Sequence, residues 1–297
     1  MRYSLWVLGG LGALALFGSF LGAMHPAGDA LAVIRLQLSA AELGAGVLLT
    51  VMRVRWGWVL AAGALAVLGV TLGPLTPLGA AASSAVSGVT VYQKNLLFRL
   101  SDSAPLIADI RAVAPDVLTL QEVSHANRAI LAELGTDFPS QQFCRFGTVG
   151  GVAVASRWPL IPDTGICQRN DGLVAMQVQT PNGPLWLVSI HLHWPWPRDQ
   201  AAQAAQVAQL LPTLEKLDGP VIVGGDFNMV PWGSSVQRIA AATGTTRQGG
   251  IYSSFPRFAP WGPLPIDHVL TPGVATIELR PLLGSDHRGL VARVFAQ

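Results

Sequence analysis

Six short stretches of this chain put acids, amides and histidines where an apolar run stops. Asn95 follows Val91-Tyr92-Gln93-Lys94, and Gln121-Glu122 follows Val117-Leu118-Thr119-Leu120. His191 and His193 close Leu187-Val188-Ser189-Ile190, and Gly225-Asp226-Phe227-Asn228 closes Val221-Ile222-Val223. Asp267-His268 sits between Ile266 and Val269, and Ser285-Asp286-His287 precedes the last apolar run. Taken singly, each reads as an ordinary turn or solvated strand end, since Asp and Asn favour turns. Their joint occurrence at strand ends fits phosphoester cleavage. Hard oxygen donors such as Glu122, with Asn95 alongside, suit Mg²⁺ or Mn²⁺, and no Cys/His set is spaced for zinc. Such a metal neutralises phosphate charge as a Lewis acid. Asp226 is of the type that orients or deprotonates a water, and Asn228 of the type that donates to transition-state oxygens. Asp267 is the natural brace for His287, which a carboxylate favours as imidazolium.

Elements of two kinds must position these groups. From Val89 onward short β-type runs recur at 89–93, 117–120, 151–156, 173–179, 185–190, 221–223, 266–270, 274–279 and 290–295. Helical patterns fall at 105–113, 126–134, 198–217 (interrupted or bent at Pro212) and 235–242. Strands of mixed type with interspersed helices predict a two-sheet α/β sandwich over residues 89–297. Before it, 74–88 is rich in Ala, Ser, Gly and Pro and reads as a linker, its core at 79–88.

Residues 1–78 are a different material. The 297-residue chain is 51% hydrophobic and 12% charged, against about a quarter charged in a usual soluble protein. Of its 19 basic and 17 acidic residues, four (Arg2, Arg35, Arg53, Arg55) and two (Asp29, Glu42) precede residue 86, which leaves 19 − 4 and 17 − 2, fifteen of each sign, in a neutral remainder. Two cysteines exclude a disulfide-framework miniprotein. Leu5–Met24 and Trp56–Leu75 are apolar runs of spanning length, about 20 residues. Leu36–Met52, polar only at Gln37 and Glu42, is either a third span or an interfacial segment; three spans are favoured over two. Arg2, Arg53 and Arg55 then lie in the cytoplasm by the positive-inside rule, and the domain outside it. A non-crossing middle segment would reverse that. Glu42 at membrane depth is a functional candidate or a bundle-facing residue near Gln37 or Arg35.

From about Val89 to Phe295 the series resembles the endonuclease/exonuclease/phosphatase superfamily. The resemblance rests on Asn95, Gln121-Glu122, Ser189-Ile190-His191, the intact Gly225-Asp226-Phe227-Asn228, Ile266-Asp267 and Ser285-Asp286-His287. It implies the DNase I-like four-layer two-sheet fold and a Mg²⁺-dependent phosphoric ester hydrolase. By resemblance Glu122 is the main metal ligand, with Asn95 beside it and Asp286 nearby. His191, Asp226, Asn228, Asp267 and His287 are catalytic, with His287 at the scissile phosphate. His268 is unassigned, and Asp171 is a candidate partner for His191. The layout also resembles a membrane-anchored bacterial branch linked to glycopeptide resistance and to dephosphorylating undecaprenyl pyrophosphate.

Chemistry does not give substrate. Nonspecific DNA affinity comes from phosphate neutralisation, and a neutral domain whose lysines are Lys94 and Lys216 argues against it. An arginine patch of Arg145, Arg157, Arg169 and Arg198 would weaken that argument. Trp194, Trp196, Trp232 and Trp261 stand near the motifs and either rim the mouth, as suits a lipid-linked phosphate in the bilayer, or cap the core. The expectation is a phosphatase for a lipid-linked phosphate at the outer face of the cytoplasmic membrane. The alternatives are an envelope nuclease and a binding module without turnover, which the intact motif set disfavours. Cys144 and Cys167 are either a disulfide, in an oxidising compartment, or two buried thiols.

Overall fold

Two six-stranded sheets are built from the alternating and continuous apolar runs. One holds β1 (Thr90–Asn95), β2 (Val117–Val123), β3 (Ser140–Arg145), β4 (Gly151–Ser156), β11 (Ala275–Leu279) and β12 (Leu290–Val294), in the order β11-β12-β1-β2-β4-β3. The other holds β5 (Ile166–Gln168), β6 (Leu173–Thr180), β7 (Gly183–His191), β8 (Val221–Asp226), β9 (Thr246–Arg247) and β10 (Asp267–Thr271), in the order β5-β6-β7-β8-β10-β9. This computed structural model describes residues 2–73, 86, 88–195, 197–198, 202–257, 262 and 264–295. Trp196, Trp261 and the expected linker, apart from Val86 and Gly88, lie outside them.

The layers follow from which faces are apolar. Val91, Val117, Val154, Met176, Leu187, Ile222 and Val269 fill the space between the sheets. The outer face of the first sheet, with Tyr92, Leu118 and Leu120, is covered by α5 (Ala104–Val113) and α6 (Ala129–Glu133). That of the second, with Val188, Ile190 and Val223, is covered by α7 (Ala202–Leu214) and α8 (Ser234–Ala242). Each fully buried aliphatic side chain contributes about 1.5–3 kcal/mol, so the strands hold by these layers. Helix, sheet, sheet, helix is the expected four-layer sandwich. The sheets approach closely at Gly224, where a Cβ would lie 2.1 Å from Thr119 Oγ1. Cys144 in β3 and Cys167 in β5 are disulfide-bonded, Cα to Cα 5.3 Å, which clasps the outer strand of one sheet to that of the other.

Before the sandwich come α1 (Arg2–Gly18), α2 (Pro26–Val33), α3 (Arg35–Val51) and α4 (Gly57–Leu72). The first apolar run was expected to continue to Met24; it ends at Gly18, after which the chain turns. The Ser19 hydroxyl bonds back to the Leu16 carbonyl, and His25 with Pro26 restarts a helix. At 17, 17 and 16 residues, α1, α3 and α4 are each about 25 Å long, against a hydrocarbon core of about 30 Å. No single described helix is long and apolar enough to cross a membrane, though α2 and α3, bent by 67°, together pass that test. The helices pack through glycines. A Cβ on Gly12 would fall 1.6 Å from Glu42 Oε1, and one on Gly46 would fall 2.4 Å from the Ala61 nitrogen. Val7, Leu8, Leu11 and Leu14 on α1, Val47 and Leu48 on α3, and Trp58 and Leu65 on α4 are exposed.

One end of this bundle is joined to the sandwich. Ala32 is fully buried in the same core as Phe227 and Met229. The Trp232 indole donates to the Ala32 carbonyl at 2.7 Å. Helix α8 has Gly233 at its N-cap, which offers no side-chain acceptor. Asp29 of α2 takes that place, accepting from the Ser234 N–H at 2.8 Å and from its hydroxyl, where a carboxylate also meets the positive end of the helix dipole. The turn bearing Arg53 and Arg55 is at the far end of α3.

Candidate active site

Strand register explains why residues far apart in sequence meet. β1 and β2 are parallel with Asn95 opposite Gln121, and β7 and β8 are parallel with His191 opposite Asp226. β10 runs antiparallel to β8 and starts with Asp267 opposite Asp226. One edge of the sandwich therefore collects every strand-end polar residue. Two irregularities aim the side chains. The β2–β4 register shifts between Leu120 and Val123, and Glu122 in that bulge has φ +56°; bulges re-aim side chains next to active sites. Asn228 has φ +47°, a left-handed conformation that Asn tolerates. Both open on a cleft of about 480 Å³ lined by Glu122, His191, Asp226, Asn228, Asp286 and His287 among others.

Within the cleft the polar groups bind one another. His287 Nδ1 donates to Asp267 Oδ2 at 2.8 Å, and the His287 Nε2 lies 3.7 Å from Asp226 Oδ2. His191 Nε2 lies 3.6 Å from the same oxygen. Asn95 Nδ2 donates to Asp226 at 2.9 Å and to Glu122 at 3.2 Å, while Phe98 N–H donates to the other Glu122 oxygen at 2.7 Å. Asp267 is held from behind by Gln93 at 3.1 Å, and Gln93 donates also to Gln121.

Burial and charge then set protonation. Burial disfavours the imidazolium of His287, but Asp267 and Asp226 outweigh it and lift its pKa to about 10. Burial alone would raise Asp267, yet the charge and hydrogen bond of His287 keep it low. Asp226 is pushed upward by burial, with His287 opposing. Burial, helped by the charge on His287, lowers His191 to about 3, so it is neutral. The dyad is thus ionised, and Asp226 is poised nearer neutrality, as suits a general base.

The donor set fits a hard cation. Glu122 and Asp286 bring carboxylates to the same cleft, and Asn228 Oδ1 and His191 Nδ1 are buried with no hydrogen-bond partner. Orphaned acceptors next to carboxylates suit a divalent ion or its water shell. Asp226, Asp267 and His287 also bring one donor atom each within 4.8 Å of one another. His287 Nδ1 and Asp267 Oδ2 are bonded to each other as a dyad, and Glu122 and Asp286 are the further carboxylates on the cleft wall.

Several expectations land elsewhere. Trp194 lines the cleft, but Trp232 does not rim it: it is 8% exposed and bound to Ala32, because the chain after Asn228 turns back toward the helices. The Asn95 amide presents its nitrogen to the carboxylates, since Leu97 N–H occupies its oxygen. Asn228 likewise gives its nitrogen to the Leu192 carbonyl, so its unpartnered atom is an acceptor where a donor was expected. Of the suggested arginine patch, Arg198 lines the cleft, whereas Arg157 is tied to Asp116. His268 is a buried strut, donating to the Met229 carbonyl at 2.7 Å. Sequence reasoning did not find Lys94, whose buried ammonium donates to the carbonyls of Pro281, Leu282 and His287 and so holds the segment bearing the dyad histidine. Nor did it find Phe255, 4.9 Å from the His287 ring, or Arg257, 3.4 Å from Asp286. The alternation Tyr92-Gln93-Lys94-Asn95 carried the available signal: polar side chains on both faces of a strand that is buried throughout from Val91.

Comparison with known proteins agrees with this geometry. The model of the Endonuclease/Exonuclease/phosphatase family matches residues 93–287. Among solved structures, an endonuclease/exonuclease/phosphatase from Beutenbergia cavernae superposes with a TM-score of 0.55 at 20% identity, covering 70% of this chain and 72% of that one. Truncated TDP2 from Caenorhabditis elegans gives 0.55 at 18%, covering 71% and 100%. A beta toxin variant from Staphylococcus aureus with bound magnesium ions gives 0.54 at 14%, covering 70% and 100%. At these identities the likeness is one of fold. No curated protein sequence matches the chain. A family model spanning 93–287, from the strand that braces Asp267 to the dyad histidine itself, places this chain in the Endonuclease/Exonuclease/phosphatase family of metal-dependent phosphoric ester hydrolases.

Proposed function

We propose that this protein is a membrane-anchored, Mg²⁺-dependent phosphoesterase acting on a lipid-linked phosphate or pyrophosphate at the outer face of the cytoplasmic membrane. The observation that carries the reading is the joint between the two parts. The helices bear outward apolar faces, and their α2 end is bound to the loop that follows Asp226 and Asn228. Under the positive-inside rule the opposite end, with Arg53 and Arg55, is cytoplasmic. The Cys144–Cys167 disulfide agrees with an oxidising compartment outside it. Trp194 on the cleft wall, with Arg198 5.2 Å from its ring, offers an amphipathic flank beside a cation.

The chain's own groups suit in-line attack at phosphorus. Asp226 orients and accepts a proton from a water, for which Asn228 Oδ1 is a second acceptor. The His287 imidazolium, kept charged and aligned by Asp267, faces the developing charge on the phosphoryl oxygens. Neutral His191 lines the same wall. Glu122 and Asp286, with Asn95 close by, would hold the Mg²⁺, which when bound supplies Lewis-acid neutralisation of the phosphate. Mn²⁺ suits the same ligands.

The test is hydrolysis by the detergent-purified full chain with Mg²⁺, measured as phosphate release from undecaprenyl pyrophosphate and as strand cleavage of single- and double-stranded DNA read on a gel, with Asp226→Asn as blank. Release from the lipid alone is expected. Arg99, Arg198 and Arg257 also line the cleft, and DNA cleavage at a comparable rate would make the protein an envelope nuclease. No turnover on any phosphoester would leave a binding module.

A further inference from the structure

A second cavity, of about 310 Å³, lies where the joined end of the helices meets the loop after β8. Ser19, Phe20, Arg35, Thr71, Trp232 and Gln237 are among its walls. Arg35 is only 4% exposed. Its Nε donates to Ser19 Oγ at 2.8 Å, its Nη2 donates to the Ser19 carbonyl, and its guanidinium lies 4.0 Å over the Phe20 ring. Among the described residues its Nη1 has no hydrogen-bond partner, and no carboxylate comes within 4.0 Å. Asp29 shares the wall, but both its oxygens are occupied by Ser234. Thr71, also on the wall and 3% exposed, carries a hydroxyl with no partner.

These are two open valences on one cavity. Asp29 is the acid nearest Arg35 on this wall, but it makes no direct ion pair with the guanidinium; a buried N–H left open is costly, and so is an unpaired buried hydroxyl. A ligand presenting anionic oxygens to both relieves both, and the planar guanidinium fork matches phosphate geometry. The cavity is of a size that takes a small headgroup. Val70 is on its wall and 64% exposed, so one side opens onto the apolar outer face of α4. Ser234 and Gln237, also on the wall, belong to α8, which holds the far end of the catalytic loop.

We propose that this cavity is a second, non-catalytic site that binds one phosphate-bearing anion, its oxygens on Arg35 and Thr71. Membrane phospholipid and free phosphate share that chemistry. The apolar opening favours the lipid, a preference that rests on the membrane reading above.

The experiment is native mass spectrometry of the full chain in detergent with phosphatidylglycerol, beside thermal unfolding with inorganic phosphate. Wild type and Asp226→Asn are expected to retain one phosphatidylglycerol, because the catalytic cleft is not involved. Arg35→Gln is expected to weaken retention at least tenfold, and Thr71→Val, which leaves the Arg35–Ser19 contacts in place, several-fold. Retention by both variants equal to wild type would overturn the site. Should Arg35→Gln fail to fold by circular dichroism, Thr71→Val decides alone. Stabilisation by inorganic phosphate that Thr71→Val weakens, with no lipid retained, would keep the anion site and assign it to a soluble ligand. Failure of the wild-type protein to associate with lipid vesicles would remove the membrane reading while the phosphate arm still reports on the cavity.

Discussion

The two ends of the joint bury polar groups in opposite ways. In the cleft, each ionised group answers another: His287 with Asp267, Asp267 with Gln93, Asn95 with both Asp226 and Glu122. In the helices, Glu42 Oε2, Ser39 Oγ and Thr71 Oγ1 are buried with no partner, and among the described residues Arg35 bonds only through Nε and Nη2. A satisfied network is rigid and fixes protonation states, whereas an unsatisfied one waits for something or is tolerated. Three acceptors remain open there: Gln93 Oε1 behind the dyad, and Asn228 Oδ1 and His191 Nδ1 of residues that line the cleft. Functional openings thus stand out only against a background of closed bonds.

The contrast breaks most readily in the cleft. Asp226→Asn and His287→Ala should each lower turnover by about 10²–10⁴, the usual contribution of a positioned acid or base, with far-ultraviolet circular dichroism unchanged. Near-wild-type rates in either would remove the mechanism. Glu122→Gln should cost about 100-fold and move the Mg²⁺ titration midpoint upward, while chelation abolishes activity in wild type; an unmoved midpoint takes Glu122 out of the metal site.

Stability measurements sharpen the comparison further. His287 is raised from 6.5 to about 10 on folding, so its contribution is full below pH 6.5 and disappears as pH rises through 10. Thermal midpoints of wild type should therefore fall across that window more than those of His287→Gln; parallel curves would mean that the dyad is not ionised. At the joint, Asp29→Ala removes the cap of α8 and should cost about 0.5–2 kcal/mol, read by denaturant unfolding followed through Trp fluorescence. The smallest effect is expected for Glu42→Gln, which removes an unpartnered carboxylate and should leave the melting temperature equal or slightly higher. A large loss of activity there would give the helices a chemical role of their own.

Much of this was legible because the strands are apolar and their ends are not. The strand at 151–156 falls where the sequence placed it, and β8 and β10 differ from expectation by a few terminal residues. The edge strands β3, β5 and β9 were not legible, since Ser140–Arg145 is half polar and Ile166–Gln168 and Thr246–Arg247 are too short to show a period. Residue types at the site could be read, but hydrogen-bond direction could not. That the Asn95 and Asn228 amide nitrogens are already taken depends on Asp226, Glu122 and the Leu192 carbonyl around them. Trp232 follows the second of its two readings, capping the core, and could not be decided from sequence for a related reason: nearness to a motif along the chain says nothing of which way the loop turns.

The Trp232–Ala32 bond has a consequence for how the protein can be divided. The obvious cut, by composition, is in the Pro74–Gly88 stretch. A chain shortened to begin at Val89 would keep every catalytic residue yet uncover the indole of Trp232, the uncapped start of α8 and the core surface that Ala32 seals. For heterologous expression, such a fragment would carry a sticky apolar scar beside its own active-site loop, so the unit to clone, transplant or evolve is the whole chain.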